Sequence, residues 1–369
     1  MEDLSTMRAV AAIDTAALIH NYQALRSFAS QGAEKPPRMI AVVKANAYGH
    51  GLMLAAKAFL RAGCDFFGVA TIEEALTLRK ITPSADILVL GYTPPHRAGQ
   101  LAAKHITQTV FSVAYAAMLA SAAVQVGVTV PIHIKIDCGM HRLGFSPNKP
   151  NDILIAATQK GLQPTGVYTH FAAADTDAVT TQAALNRFLD CRASLSDSGL
   201  TLFAHAAASA ALLSLPQSVL DGVRPGLALY GISPVPTTLQ LRPALTVLTH
   251  IVQIHDLPAD TPVGYGGSFV TKKPSRIGTA PLGYGDGIPR SFSGQTVCVF
   301  HQGNAFFVPV VGRICMDQMM LDLEDTPIEV GDTVQVFTDI SRTASALHTI
   351  PYEILTALGP RITRRARSG

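Results

Sequence analysis

The chain has 369 residues, of which 48% are hydrophobic and 15% charged, and its formal net charge is +3. That length carries a large core and a second domain, and the composition excludes a disordered chain. So small a net charge gives no reason to expect nucleic acid or an acidic membrane surface as a partner. The five cysteines, Cys64, Cys138, Cys191, Cys298 and Cys315, are odd in number and show no CxxC spacing. They read as reduced thiols of a cytoplasmic protein, not as a disulfide frame, and no metal site is expected. Glu2 and Asp3 precede any basic residue, and Asp14 breaks the first apolar stretch, which is not the pattern of a signal peptide.

Taken in order, residues 7–14 read as a short strand, followed by a helix from an N-cap at Thr15 through Leu25. Apolar runs then recur at residues 39–44, 66–70, 87–90, 107–111, 131–137, 165–170, 202–206 and 220–224, with helical patterns between them such as 72–79 and 182–196. Eight strand–helix units fit a closed (β/α)8 barrel, and an open doubly wound sheet is the alternative that periodicity alone leaves standing. Residues 105–134 contain no Lys, Arg, Asp or Glu, yet Gln125, Gly127 and Pro131 punctuate them. They divide into strand 107–111, helix 114–125 and strand 131–137, so they read as buried α/β structure and not as a membrane span. Near residues 237–243 the pattern changes. Alternating segments at 244–255, 276–281, 296–300, 306–311, 319–323 and 333–337, separated by glycine- and proline-rich turns, predict a mainly-β domain. The expected division is a barrel of residues 15–240 and a β-domain of residues 241–369. Arg361 to Arg367 form the one basic run, read as a solvated tail.

The chemistry-bearing stretch is Met39-Ile40-Ala41-Val42-Val43-Lys44, followed by Ala45-Asn46-Ala47-Tyr48-Gly49-His50-Gly51. A buried strand ending in lysine puts the amine where barrels and open α/β sheets place their chemistry. Alone, such a lysine reads as snorkelling to solvent. A partly desolvated one has a lowered pKa and is a good nucleophile toward an aldehyde. Arg224-Pro225-Gly226-Leu227 ends the eighth run with a proline suited to a first helical position and a glycine that allows close approach, a start that attracts phosphate. Lys135 and Asp137, next neighbours on one strand face, read as an ion pair. His170, Tyr48 and Tyr352 each read alone as satisfied core residues, and the tyrosines of Gly264-Tyr265-Gly266 and Gly283-Tyr284-Gly285 as surface turns.

Together and in this order, from residue 7 to residue 364, these segments resemble the motifs of the alanine racemases. The resemblance implies pyridoxal 5'-phosphate as cofactor, held by Lys44. It implies Arg224 at the pyridine nitrogen and a phosphate cradle of Gly226, Leu227, Ser209, Tyr48 and Tyr352. Ser209 lies in His205-Ala206-Ala207-Ala208-Ser209, where Ala208 replaces the usual asparagine. Arg142, in Lys135-Ile136-Asp137-Cys138-Gly139-Met140-His141-Arg142, would meet the cofactor's phenolic oxygen and the substrate carboxylate. Lys135 matches a lysine often carbamylated, and His170 a histidine behind the cofactor ring. Tyr265 would be the second catalytic base, Tyr284 would line the substrate corridor, and backbone near Met316, in Val311-Gly312-Arg313-Ile314-Cys315-Met316-Asp317-Gln318, would meet the carboxylate. The implied activity is interconversion of L- and D-alanine, supplying D-alanine for cell-wall peptidoglycan. The implied assembly is a head-to-tail homodimer with shared active sites, residues 7–14 joining the C-terminal sheet. A racemase for serine or for a broad set of amino acids would share every motif. A barrel-type decarboxylase is disfavoured, because an arginine that stays protonated leaves the ring nitrogen unprotonated and the ring a weaker electron sink. A non-catalytic pyridoxal-phosphate-binding protein would not need the second domain.

Overall fold

The computed structural model describes residues 7–32 and 34–367; Glu2 and Asp3, on which the signal-peptide reading rests, lie outside them. After β1 (Val10–Asp14) come eight strands: β2 (Arg38–Val42), β3 (Phe66–Val69), β4 (Asp86–Val89), β5 (Ile106–Val110), β6 (Val130–Lys135), β7 (Leu162–Tyr168), β8 (Phe203–Ala208) and β9 (Gly222–Arg224). They pair in parallel with successive neighbours, and β9 returns to β2 through Arg38↔Gly222 and Met39↔Val223, closing the barrel. Closure removes the doubly wound alternative. Most residues of these strands are buried, and β3 and β5 are buried along their whole length. Burial on both faces is what turns parallel strands into continuous apolar runs. The helix after β5, Val113–Gln125, starts where the Ser112 hydroxyl accepts the Tyr115 N–H at 3.1 Å. The uncharged stretch is therefore strand, helix and strand, and no helix among the described residues is long and apolar enough to cross a membrane.

The chain forms two compact units. One is Ala17–Ala47 with Ala55–Arg242. The other joins the N-terminal residues through Ala16 with Tyr48–Leu54 and the chain from Pro243. The second unit contributes β10 (Leu245–His250), β11 (Gln253–Leu257), β12 (Pro262–Val263), β13 (Phe269–Val270), β14 (Ser275–Ala280), β15 (Thr296–His301), β16 (Asn304–Val311), β17 (Met319–Asp322), β18 (Thr333–Gln335) and β19 (Thr363–Arg367). Its main sheet runs β11-β14-β17-β16-β15-β18-β10-β1-β19, while β12 and β13 form a separate ribbon. β1 pairs antiparallel to β10 and parallel to β19.

Two expectations change here. The run at 244–255 is two strands, because Ile251 N–H turns to the Asp332 carbonyl and Val252 N–H to the Thr279 carbonyl, which sends the chain to a different part of the sheet. The basic run is largely exposed, as expected, but it is not a free tail: residues 363–367 form the edge strand β19. Arg364 donates to the carbonyls of Gly49 (2.9 Å), Leu358 (2.6 Å), Gly359 (2.5 Å) and Ile362 (2.8 Å), while Arg361 pairs with Asp286 (3.0 Å) and Asp317 (2.8 Å). Guanidinium groups satisfy carbonyls that a strand and helix end leave open. Two short helices, Ile340–Ala346 and Pro351–Ala357, also interrupt the β pattern.

Candidate active site

Lys44 lies just past β2, not on it. It opens a turn in which Ala45, Asn46, Ala47 and Tyr48 all have positive φ, at 52°, 54°, 55° and 51°. Left-handed backbone costs about 1–2 kcal/mol per L-residue, so this turn needs holding. The Ala47 N–H bonds the Val43 carbonyl at 2.8 Å. The Ala45 N–H bonds Oε1 of Glu74 at 2.6 Å, and Oε2 of the same carboxylate accepts the Ala70 N–H at 2.8 Å.

Around Lys44 the barrel gathers cations from separate strand ends. Burial lowers the Lys44 pKa, and Arg142 and Arg224 lower it further against the opposing charge of Glu74. Lys135, the last residue of β6, is pushed down to about 8 by burial and then by Arg142 and Arg224, with Lys44 adding to this and Asp137 opposing. The Lys135–Asp137 ion pair does not form. Asp137 instead accepts the backbone N–H groups of Gly139 (2.9 Å), Met140 (2.8 Å), His141 (3.1 Å) and Arg142 (3.1 Å). It therefore shapes the loop on which Arg142 is mounted.

Arg224, at the end of β9, is buried and fixed. Nη1 donates to Nδ1 (2.7 Å) and the carbonyl (2.9 Å) of His205, and Nη2 to the carbonyls of Thr169 (2.6 Å) and Ala206 (2.9 Å). These bonds leave Nε–H as the donor they do not use. Burial lowers the Arg224 pKa to about 10, still a cation at neutral pH. Because arginine only donates, His205 Nδ1 must accept and its Nε2–H donates to His133 Nδ1 at 2.9 Å. Both rings are neutral: burial, helped by Arg224, holds His133 to about 3 and His205 well below the ordinary histidine value. Tyr168 stacks on His205 with ring centroids 4.8 Å apart and lies 5.0 Å from the Arg224 guanidinium. His170, two residues past β7, is also held to about 3, by burial and then by Arg224, Lys135, Arg142 and Lys44.

The Ser209 hydroxyl accepts the N–H groups of Gly226 (2.9 Å) and Ala228 (3.3 Å). Ser209 begins the helix Ser209–Ser214, whose N-cap, Ala208, supplies no side-chain hydrogen bond. The helix expected after Gly226 is a single 3-10 turn, Leu227–Tyr230, because Gly231 at φ 88° ends it. The Tyr230 hydroxyl donates to the Val42 carbonyl at 2.9 Å, tying that turn to β2.

In the second unit, Tyr48 and Tyr352 meet with ring centroids 5.8 Å apart, and burial raises the Tyr48 pKa. Tyr265 is 68% exposed. It stands on a turn that needs glycine on both sides, Gly264 at φ 72° and Gly266 at φ 68°. A Cβ at Gly264 would lie 2.7 Å from Met320 Cε, and one at Gly266 3.3 Å from Arg313 Nη1. Tyr284 and Met316 are 45% and 53% exposed. Their loops are stitched by Tyr284 N–H to the Cys315 carbonyl (3.0 Å) and Gly285 N–H to the Met316 carbonyl (2.8 Å). A side chain at Gly283 would collide with the Cys315 carbonyl. Among the described residues no group of His, Cys, Asp and Glu side chains is arranged to hold a metal ion.

Residues 13–234 match the model of the alanine racemase N-terminal domain, and residues 244–366 match that of the alanine racemase C-terminal domain. The chain belongs to the alanine racemase family. Alanine racemase 2 of Caldanaerobacter subterraneus subsp. tengcongensis is 38% identical over 362 residues, which cover 94% of this chain and 92% of that protein. An alanine racemase structure from Clostridium difficile 630 aligns with a TM-score of 0.90 at 32% identity, covering 98% of this chain and 96% of that one. A Bacillus anthracis alanine racemase solved with bound L-Ala-P aligns at 0.88 and 32%, covering 96% and 93%.

Within this family member, the barrel unit brings Lys44, Lys135, Arg142, His170 and Arg224 under one another's electrostatic influence, and Ser209 to Gly226 beside Leu227. The second unit carries Tyr48 with Tyr352 and Tyr284 with Met316. Sequence reasoning missed Glu74, His133 and His205 as parts of the site. His133 and Lys135 alternate with apolar residues along β6, and two polar side chains on one face of a buried strand were a readable signal. Glu74 was masked by a capping-box pattern, Thr71-Ile72-Glu73-Glu74, in which the Thr71 hydroxyl does accept the Glu74 N–H at 3.3 Å.

Proposed function

We propose that the chain interconverts L- and D-alanine with pyridoxal 5'-phosphate as cofactor, Lys44 and Tyr265 moving protons on opposite faces of the substrate. The observation that carries this reading is a half-buried amine of lowered pKa, Lys44, set among Lys135, Arg142 and Arg224. The residues present fit the cofactor in the chemistry of their donors. Lys44 is an amine for an aldehyde. The hydroxyl of Ser209, which keeps its own O–H to donate, the N–H of Leu227, and the phenols of Tyr48 and Tyr352 suit a phosphate, while the Gly226 N–H is committed to Ser209 and braces that hydroxyl; Nε–H of Arg224 suits a ring acceptor. Bound there, the cofactor supplies an electron-withdrawing ring that acidifies the α-hydrogen of an attached amino acid.

The chain's own groups do the rest. Arg142, with backbone near Met316, holds the substrate carboxylate, and Tyr284 lines the approach. Arg224 stays a cation at neutral pH, so its Nε–H would donate to a ring nitrogen without giving up its proton. His170, held neutral, would sit behind the ring without adding charge. The Lys44 amine takes or returns the α-proton on one face and the Tyr265 phenol acts on the other, so inversion needs no group to cross the molecular plane. Lys135 at about 8 is partly neutral at cellular pH. Its amine can add to carbon dioxide, forming an N–C bond and releasing one proton, and the resulting carbamate anion would brace Arg142.

On this reading the barrel of residues 15–240 holds the cofactor. The β-domain of residues 241–369, joined by residues 7–14, supplies Tyr265 to a partner's barrel in a head-to-tail homodimer with shared sites. The exposure of Tyr265, Tyr284 and Met316 supports that arrangement. The physiological role proposed is cytoplasmic supply of D-alanine for peptidoglycan. To test the activity, full-length protein with pyridoxal 5'-phosphate is incubated separately with L-alanine, L-serine and L-lysine, and each D-enantiomer is followed by chiral chromatography. D-Alanine should form fastest, and the Lys44→Ala protein should form none. Faster D-serine production would make the enzyme a serine racemase, and absence of every D-product would contradict the reading.

A further inference from the structure

We propose that Glu74 is a positioning residue whose carboxylate clamps the strained turn carrying Lys44 to the end of the neighbouring strand. The inference rests on Lys44 being the reacting amine. A run of left-handed L-residues persists only where its surroundings over-determine it. Here the amide that follows Lys44 is held from outside the turn: Ala45 N–H to Glu74 Oε1 at 2.6 Å. The second oxygen takes Ala70 N–H, the first amide past β3, at 2.8 Å. One side chain thus bridges the ends of β2 and β3 with two charge-assisted bonds.

The choice of residue follows from the donors. Two N–H groups converge on it, and a carboxylate offers two acceptor oxygens and no donor. Glutamine would satisfy one amide and turn an NH2 against the other. Glu74 also sits at the third position of its own helix, where a capping-box glutamate ordinarily reaches back to the N-cap amide. Its carboxylate instead reaches Ala70 and the Lys44 turn, leaving Thr71 to cap the helix alone.

Charge supports the same role. The groups acting on the Lys44 amine are Arg142 from the loop after β6, Arg224 from β9, Lys135 at the end of β6, and Glu74. Neutral His170, past β7, feels the same cations. Glu74 is the acid in this set that favours the ammonium form.

Glu74→Gln and Glu74→Ala separate the two contributions. In cofactor-free full-length protein, trace acetylation of Lys44 by acetic anhydride is followed across pH by peptide mass spectrometry, giving the midpoint of its titration. The rate of appearance of the visible band on adding pyridoxal 5'-phosphate is then measured above every midpoint, so that protonation does not enter. Both variants lose the charge, so both midpoints should move to lower pH by the same amount. The band should form about tenfold more slowly in Glu74→Ala, which loses both bonds, and less slowly in Glu74→Gln, which keeps one. Unchanged midpoint and rate in Glu74→Gln would overturn the proposal. So would lower thermal stability with an unchanged rate, the mark of a merely structural residue. If the wild-type cofactor adduct forms on a lysine other than Lys44, the site assignment itself fails, and that outcome is read directly from the same peptide maps.

Discussion

The barrel strand ends and the glycine turns of the β-domain hold reactive side chains in opposite ways. In the barrel, Lys44, Lys135 and Arg224 are all driven below their ordinary pKa by burial, the two lysines further by Arg142 and Arg224, and Arg224 is locked by four hydrogen bonds. In the β-domain, Tyr265 projects 68% exposed from a turn shaped by two positive-φ glycines. The first region creates its own electrostatics. The second fixes a backbone and leaves the side chain to meet whatever covers it. The lesson is that one unit prepares its side chains by burial and charge, while the other holds its tyrosine by backbone geometry alone and leaves it exposed.

The sharpest way to break that contrast is to separate its two halves. On the shared-site proposal, Lys44→Ala and Tyr265→Phe are each nearly inactive. Co-refolding them in equal amounts should give about half heterodimers, each with one site carrying both defects and one carrying neither, so roughly a quarter of wild-type activity should return. No recovery, with heterodimers verified by mass spectrometry, would place both residues in the same chain's site.

A smaller effect tests the self-contained electrostatics of the barrel. His133 and His205 titrate near 6.5 when unfolded but are held neutral to about 3 and well below the ordinary value in the fold. Below pH 6.5 the unfolded chain therefore binds more protons than the folded one, and stability must fall as pH falls toward 3. Amide protection of β8 in hydrogen exchange should decrease from pH 7.5 to 5.5 after correction for intrinsic rates. His133→Gln, which keeps an acceptor for His205 but cannot titrate, should reduce that dependence. Protection independent of pH would contradict the neutral pair.

The smallest expected effect concerns Ala208, the N-cap without a side-chain bond. Ala208→Asn supplies an acceptor to the amides at the start of the helix Ser209–Ser214 and should stabilise the barrel by about 1 kcal/mol. Thermal unfolding should show a higher midpoint, and an unchanged or lower one would mean that the helix start is already satisfied.

Much of this was legible in the chain. The eight runs from 39–44 to 220–224 coincide with β2 to β9 within a few residues, because strands buried on both faces must be apolar throughout. Closure was not legible, since it depends on the pairing of Arg38 with Gly222 far along the chain. A turn was expected after Lys44, but its left-handed backbone was hidden because, of Ala45, Asn46, Ala47 and Tyr48, asparagine alone carries a left-handed signal; tertiary bonds hold the run. Asp137 looked like a partner for Lys135 by strand spacing, but β6 ends at Lys135, so the face alternation does not reach it. Arg361 to Arg367 are mostly exposed, as their charge suggested, but the edge strand was not legible, since it is fixed by pairing to β1 and by Arg364 closing several carbonyls at once.

The central claim is that Lys44 carries the cofactor. Lys135 is the instructive rival, a more deeply buried amine in the same cluster with its pKa lowered to about 8. Full-length protein is equilibrated with pyridoxal 5'-phosphate, reduced with borohydride, digested and mapped by mass spectrometry. The account predicts loss of the visible band and a single fixed adduct on Lys44. An adduct on Lys135, or on any other lysine with Lys44 unmodified, would contradict it.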